Sequence, residues 1–133
     1  MEFISKSEQD TIDFARKIAA TLKGGHVLAL YGDLGVGKSV FCRALIRTLT
    51  HTPDLNVPSP TFSLVQTYET DQFDIWHFDM YRVEDAEEIY EIGWEEALAG
   101  GLSLIEWPEK IEPLLPSDCM KITFEEIDAT TRK

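Results

Sequence analysis

Only two cysteines occur among the 133 residues, Cys42 and Cys119. No other Cys or His stands at zinc-like spacing from them, which excludes a disulfide framework and a structural zinc module. Two reduced thiols in a cytoplasmic protein are expected. Long apolar runs are also missing, and none nears the roughly 18 residues of a membrane span. The opening MEFISKSEQD has no basic start followed by an apolar stretch, so no secretory signal is expected. Basic residues are scarce: 12 Lys+Arg stand against 24 Asp+Glu, a net charge of −12. Between Glu69 and Glu112 there are 14 acidic residues and two basic ones, Arg82 and Lys110, so this stretch holds the whole imbalance. Such a surface repels a phosphate backbone and argues against direct nucleic-acid binding there. It is either a solvated acidic face or a docking face for a basic protein partner. Repeats, low-complexity tracts and linkers are absent as well. The length then points to one domain spanning residues 1–133 with one real core.

What is present is a mixed α/β pattern. Ser7 and Asp10 form an S-x-x-D helix start. Phe14, Ala15, Ile18, Ala19 and Leu22 follow at helical spacing, and Gly24-Gly25 is expected to end that helix. HVLALY, 26–31, reads as a strand buried on both faces. Phe41, Ala44, Leu45, Thr48 and Leu49 mark a helix from Lys38 to about Leu49. HTPDLNVPSP, 51–60, with three prolines, reads as loop. TFSLVQTYE and FDIWHFD are separated only by Thr70-Asp71-Gln72 and predict a hairpin. VEDAEEIYEIGWEEALAGG predicts helix broken near Gly93. LSLIEW and CMKITFEEI predict two further strands, with Pro108 closing the first. The expected fold class is α/β, a P-loop NTPase-like mixed sheet with helices on both faces.

Gly32, Asp33, Leu34, Gly35, Val36, Gly37, Lys38 and Ser39 match G-x-x-x-x-G-K-[ST] between a predicted strand and a predicted helix. Glycines let the backbone take positive φ and approach a ligand closely. Successive N–H groups then form an anion nest at the positive end of the helix dipole. Lys38 supplies a full charge to β- and γ-phosphates, and the Ser39 hydroxyl suits Mg²⁺. The stretch is expected to hold a nucleotide triphosphate.

Hydrolysis also needs acids near the loop, and in open α/β sheets these stand at C-terminal strand ends. Asp79 and Glu106 both end predicted strands. Each is a candidate to hold Mg²⁺, directly or through water, or to orient the attacking water; the alternative for each is a capping acid. Thr61 is either a switch-like residue closing on the metal or γ-phosphate, or simply a strand-starting threonine. His77 reads as a packed sheet residue rather than a general base. Trp107 reads as core or as a partner-anchoring aromatic. No N-K-x-D guanine box occurs, which disfavours a GTPase. After the helix that follows Lys38 the only arginines are Arg82 and Arg132, which disfavours a kinase with an arginine-bearing lid.

GDLGVGKS, SPTFSLVQTYE, HFDMYR and IEWPEK follow in the order found in TsaE-type (YjeE-type) proteins, which the chain resembles over nearly its whole length. These are bacterial P-loop ATPases that assist N6-threonylcarbamoyladenosine modification of tRNA. The resemblance implies ATP with Mg²⁺, phosphates held by Gly32 to Ser39, and a catalytic set of Lys38, Asp79 and Glu106. It implies Ser39 and Glu106 as the metal pair with Asp79 beside them. It also implies Thr61 in a switch-like element, Thr11 lining the adenine side, and Trp107 as a functionally important aromatic. The implied partners are TsaB and TsaD, the latter performing the transfer, with tRNA reached only through the complex. Ser39 replaces the more usual threonine and Val36 a frequent alanine. Two other roles remain open at this stage: a nucleotide-gated binding module with incidental hydrolysis, and a small-molecule kinase.

Overall fold

Ser7 starts the first helix as the S-x-x-D pattern requires, its hydroxyl accepting the Asp10 N–H at 3.1 Å. The structure is a computed structural model and describes residues 7–32, 37–58, 60 and 63–124. Helix α1 spans Glu8–Ala19 and ends earlier than the expected stop at Gly24-Gly25. The Thr21 hydroxyl donates to the Ile18 carbonyl at 2.8 Å, a local bond that competes with helix propagation. Leu22 is still buried, just outside the helix.

Strand β1, Val27–Tyr31, leads through the glycine-rich segment to helix α2, Lys38–Leu49. Strands β2, Val65–Glu69, and β3, Asp74–Asp79, form the predicted antiparallel hairpin. Strand β4 is Leu102–Glu106 and β5 is Met120–Thr123. The sheet order is β2-β3-β4-β1-β5, and every pairing except β2–β3 is parallel. Central β1 and β4 have apolar side chains on both faces because both faces are covered. Among the described residues no helix is long and apolar enough to cross a membrane.

Alternation along the strands divides the core in two. Leu28, Leu30, Ile75, Leu102 and Leu104 pack against α1 and α2, where Phe41 meets Phe14 and Phe124 at ring distances of 6.0 and 5.6 Å. Val27, Phe78 and Ile105 point the other way, toward Trp94 and Ile89. The acidic stretch expected as helix is a 3-10 segment, Ala86–Ile92, followed by the short helix α3, Trp94–Leu98. An Asp85/Glu88 capping box starts the segment and Gly93 at φ 98° stops it. The 3-10 winding sets Ala86, Ile89 and Ile92 three apart on the buried side. Gly93 also has Trp76 in its way: an added Cβ would lie 2.4 Å from the indole ring. A second 3-10 segment, Pro108–Leu114, follows β4. Helical elements therefore cover both faces of the sheet, as expected.

Candidate functional site

The C-terminal ends of β1, β3 and β4 carry Tyr31, Asp79 and Glu106, and α2 begins in front of them. Gly37 caps α2 in the left-handed region, φ 97°, a conformation that favours glycine, and offers no side-chain cap. The first N–H groups of this 12-residue helix thus have no side chain to bond at that cap. Lys38, the first helical residue, is 4% exposed, and its ammonium has no hydrogen-bond partner among the described residues. It stands 4.2 Å above the centroid of the Trp107 ring. A cation–π contact of this kind contributes about 2 kcal/mol when desolvated, less than the cost of burying an unpaired ammonium. The site therefore has a deficit that an anion would fill.

Trp107 is held in turn. Its backbone is left-handed (φ 57°, ψ 50°), an unusual conformation for any side chain and more so before Pro108. Such strain costs of order 1–3 kcal/mol. The Tyr81 ring packs against the indole at 4.8 Å, tilted by 52°, so Tyr81, Trp107 and Lys38 form one cluster. Trp107 is neither fully core nor a free surface anchor.

Asp79 and Glu106 are direct cross-strand neighbours in the β3–β4 register. Both are buried, at 4% and 5% exposure. Asp79 Oδ1 accepts the N–H of Tyr81 at 3.0 Å. Glu106 Oε2 is 2.7 Å from Nε2 of His77, which lies on the same face of β3 as Asp79. Ser39, His77 and Glu106 line a cavity of about 80 Å³ with Arg43, Val57 and Pro58. Cys42 closes the group from α2. Its thiol is pushed well above the usual range, first by burial, then by the Glu106 charge; Lys38 opposes this and Asp79 adds to it. Donor atoms of Cys42, His77 and Glu106 lie within 4.8 Å of one another. No sequence spacing signals this cluster, because its members come from three elements.

Of the predicted site residues, Lys38 and Trp107 meet directly, Asp79 pairs with Glu106, and Ser39 shares a cavity with Glu106. Gly32 follows β1 with φ 135°. Thr11 is buried on α1 and donates its N–H to the Ser7 carbonyl at 3.3 Å. Asp33, Leu34, Gly35, Val36 and Thr61 lie outside the described residues. Sequence reasoning passes over Tyr81 and Arg43 and reads His77 only as packing. The one available signal for His77 is its i, i+2 spacing from Asp79, which puts both on one strand face.

A family model described as "Threonylcarbamoyl adenosine biosynthesis protein TsaE" matches residues 5–133. A "tRNA threonylcarbamoyladenosine biosynthesis protein TsaE" of Rickettsia bellii is 47% identical, over 97% of this chain and 89% of its own. The protein of the same description from Bacillus subtilis is 36% identical, over 88% and 72%. The crystal structure of Bacillus subtilis YdiB superposes with a TM-score of 0.78 at 26% identity, covering 99% of this chain and 80% of that one. A match over nearly the full length, with the same fold, makes this chain a member of the TsaE family.

Proposed function

We propose that this protein is an ATPase that supports N6-threonylcarbamoyladenosine modification of tRNA at the adenosine next to the anticodon. It acts in the cytoplasm, slowly alone and faster with TsaB and TsaD. The observation that carries the reading is the buried Lys38 ammonium, without a hydrogen-bond partner among the described residues, at the start of a helix without a side-chain cap. A triphosphate would supply the missing negative charge, and the glycine-rich stretch before Lys38 would supply amides. The names of the relatives support the tRNA-modification role.

The donor set fits Mg²⁺. Ser39, Asp79 and Glu106 offer one hydroxyl and two carboxylates, hard oxygen ligands of the type Mg²⁺ takes. When bound, the ion supplies Lewis-acid polarisation of phosphoryl oxygens. Lys38 neutralises charge on the transferred phosphoryl group, and its burial strengthens that interaction. Asp79 and Glu106 hold the ion or orient water. Trp107 and Tyr81 keep Lys38 in place and shield it from solvent. With the acids on the site itself, stimulation by partners falls to added positive charge or to ordering of the nearby loop. The acidic 69–112 region contains Asp79 and Glu106 and is the candidate docking face.

Calorimetric titration with MgATP tests the reading. Saturable binding is expected for the wild type, and Lys38→Ala should weaken it by roughly 100-fold, as loss of a buried charge partner does. Phosphate release should rise when TsaB and TsaD are added. A folded wild type that takes up no MgATP would refute the proposal.

A further inference from the structure

His77 has one polar contact in the described structure and it goes to Glu106. The Nε2–Oε2 distance is 2.7 Å, and the two side chains are 3% and 6% exposed. The other ring nitrogen, Nδ1, is buried without a hydrogen-bond partner among the described residues. A buried imidazole nitrogen left unpaired costs about 1–3 kcal/mol, so an apolar side chain would fill this place at lower cost. Packing alone therefore does not account for a histidine here. Its neighbour does. Glu106 ends β4 with only Oε2 engaged; Oε1 has no hydrogen bond among the described residues. A carboxylate with both oxygens free rotates about its terminal torsion, which has a broad profile. A donor fixed on one oxygen removes that freedom. The donor is itself fixed, because His77 lies within β3, two residues before Glu106's partner Asp79 and on the same face.

We propose that His77 is a positioning residue for the divalent cation: its Nε2–H binds Oε2 of Glu106, restrains the carboxylate, and leaves Oε1 as the ligating oxygen beside Ser39. The inference rests on the nucleotide reading above and adds a residue to it. Partners of this kind behind a metal ligand typically change metal affinity or activity by about 10–100-fold when removed. His77 touches neither phosphate nor metal in this scheme. Its loss should therefore act on the cation and on turnover while leaving metal-free nucleotide affinity alone.

The test uses Mn²⁺ as probe, read by its electron paramagnetic resonance signal, on the full chain with a non-hydrolysable ATP analogue. His77→Phe keeps a ring and removes the donor. Its Mn²⁺ affinity should fall about 10-fold or more, with analogue affinity in EDTA within about 2-fold of wild type. His77→Gln keeps a donor and should recover at least half of the lost affinity on a logarithmic scale. In a Glu106→Gln background, His77→Phe should add nothing. If His77→Phe does not melt cooperatively, His77→Leu takes its place in the same series. Wild-type protein that binds Mn²⁺ with the analogue, alongside an equally competent Phe or Leu variant, overturns the positioning role alone. Wild-type protein that binds neither Mn²⁺ nor the analogue overturns the nucleotide reading and this inference with it.

Discussion

The two faces of the sheet are built from the same strands yet differ in kind. The α1–α2 face is covered by two 12-residue helices and buries His77, Asp79 and Glu106 beside Lys38. The opposite face is covered by 3-10 turns and a five-residue helix, and its buried core is Trp94, Phe78, Ile89 and Ile105 with Ser103 as a buried polar residue. Acidic charge on that side stays outside, on Glu84, Asp85, Glu87, Glu88, Glu95 and Glu96, all exposed. Regular helices thus cover the face that must aim charged groups, and short irregular ones cover the face that only has to be filled. A long helix holds its N-terminus and first side chains against the strand ends through its whole buried length. A five-residue helix fixes far less.

The largest expected effect is on the packed face. Trp94 is 1% exposed and meets Phe78 edge-on at 5.7 Å. Trp94→Ala should cost about 3–5 kcal/mol in denaturant unfolding. Nucleotide affinity measured on the remaining folded protein should not change. A cost below about 1 kcal/mol would mean that face is not a core.

On the charged face the pattern should invert. Glu106→Gln and Asp79→Asn should each lower turnover about 100-fold or more, the scale seen when one preorganised electrostatic group is removed. Their unfolding free energies should move less than that of Trp94→Ala. A larger stability loss in either would assign these acids to the core and break the contrast.

The smallest effect is at the sheet edge, where both faces end. The Tyr31 hydroxyl donates to Glu112 at 2.7 Å and Lys121 donates at 3.1 Å, linking β1, β5 and the second 3-10 segment. The Tyr31 bond chiefly holds the Glu112 carboxyl below its ordinary value; desolvation, the second-largest effect, opposes it, and Lys121 adds a smaller lowering. A depressed carboxyl adds stability above its unfolded titration and loses it as pH falls through the folded one. Because the group is largely exposed, Glu112→Gln should cost less than about 1 kcal/mol at neutral pH. Repeating the unfolding measurement in acid should erase the difference. A difference that grew on acidification would reverse the sign assigned to the carboxyl.

Much of the site is legible in the chain because its parts are contiguous. An apolar run, three glycines, a lysine and a helical face follow one another from Val27 to Leu49, and each is a local preference. The first helix is legible at its start, where Ser7 must be near Asp10, and less so at its end, where Thr21 bonds Ile18 before the glycines are reached. Asp79 and Glu106 are recognisable as strand-end acids, but nothing local says they are neighbours. Their pairing follows from β3 lying next to β4. The 3-10 winding of Ala86–Ile92 is not legible in the chain because apolar residues three apart, Ala86, Ile89 and Ile92, suit an α-helix as well as a 3-10 helix.

By itself, then, the sequence determined the glycine loop between strand and helix, the family, and the identity of the acids, because backbone preference and chemical type act over a few neighbouring residues. Tertiary structure alone decided that His77 meets Glu106 across 29 residues and that Lys38 rests on Trp107 across the sheet's end. Those contacts follow from strand order, which is chosen by the apolar surfaces that many distant residues bury together.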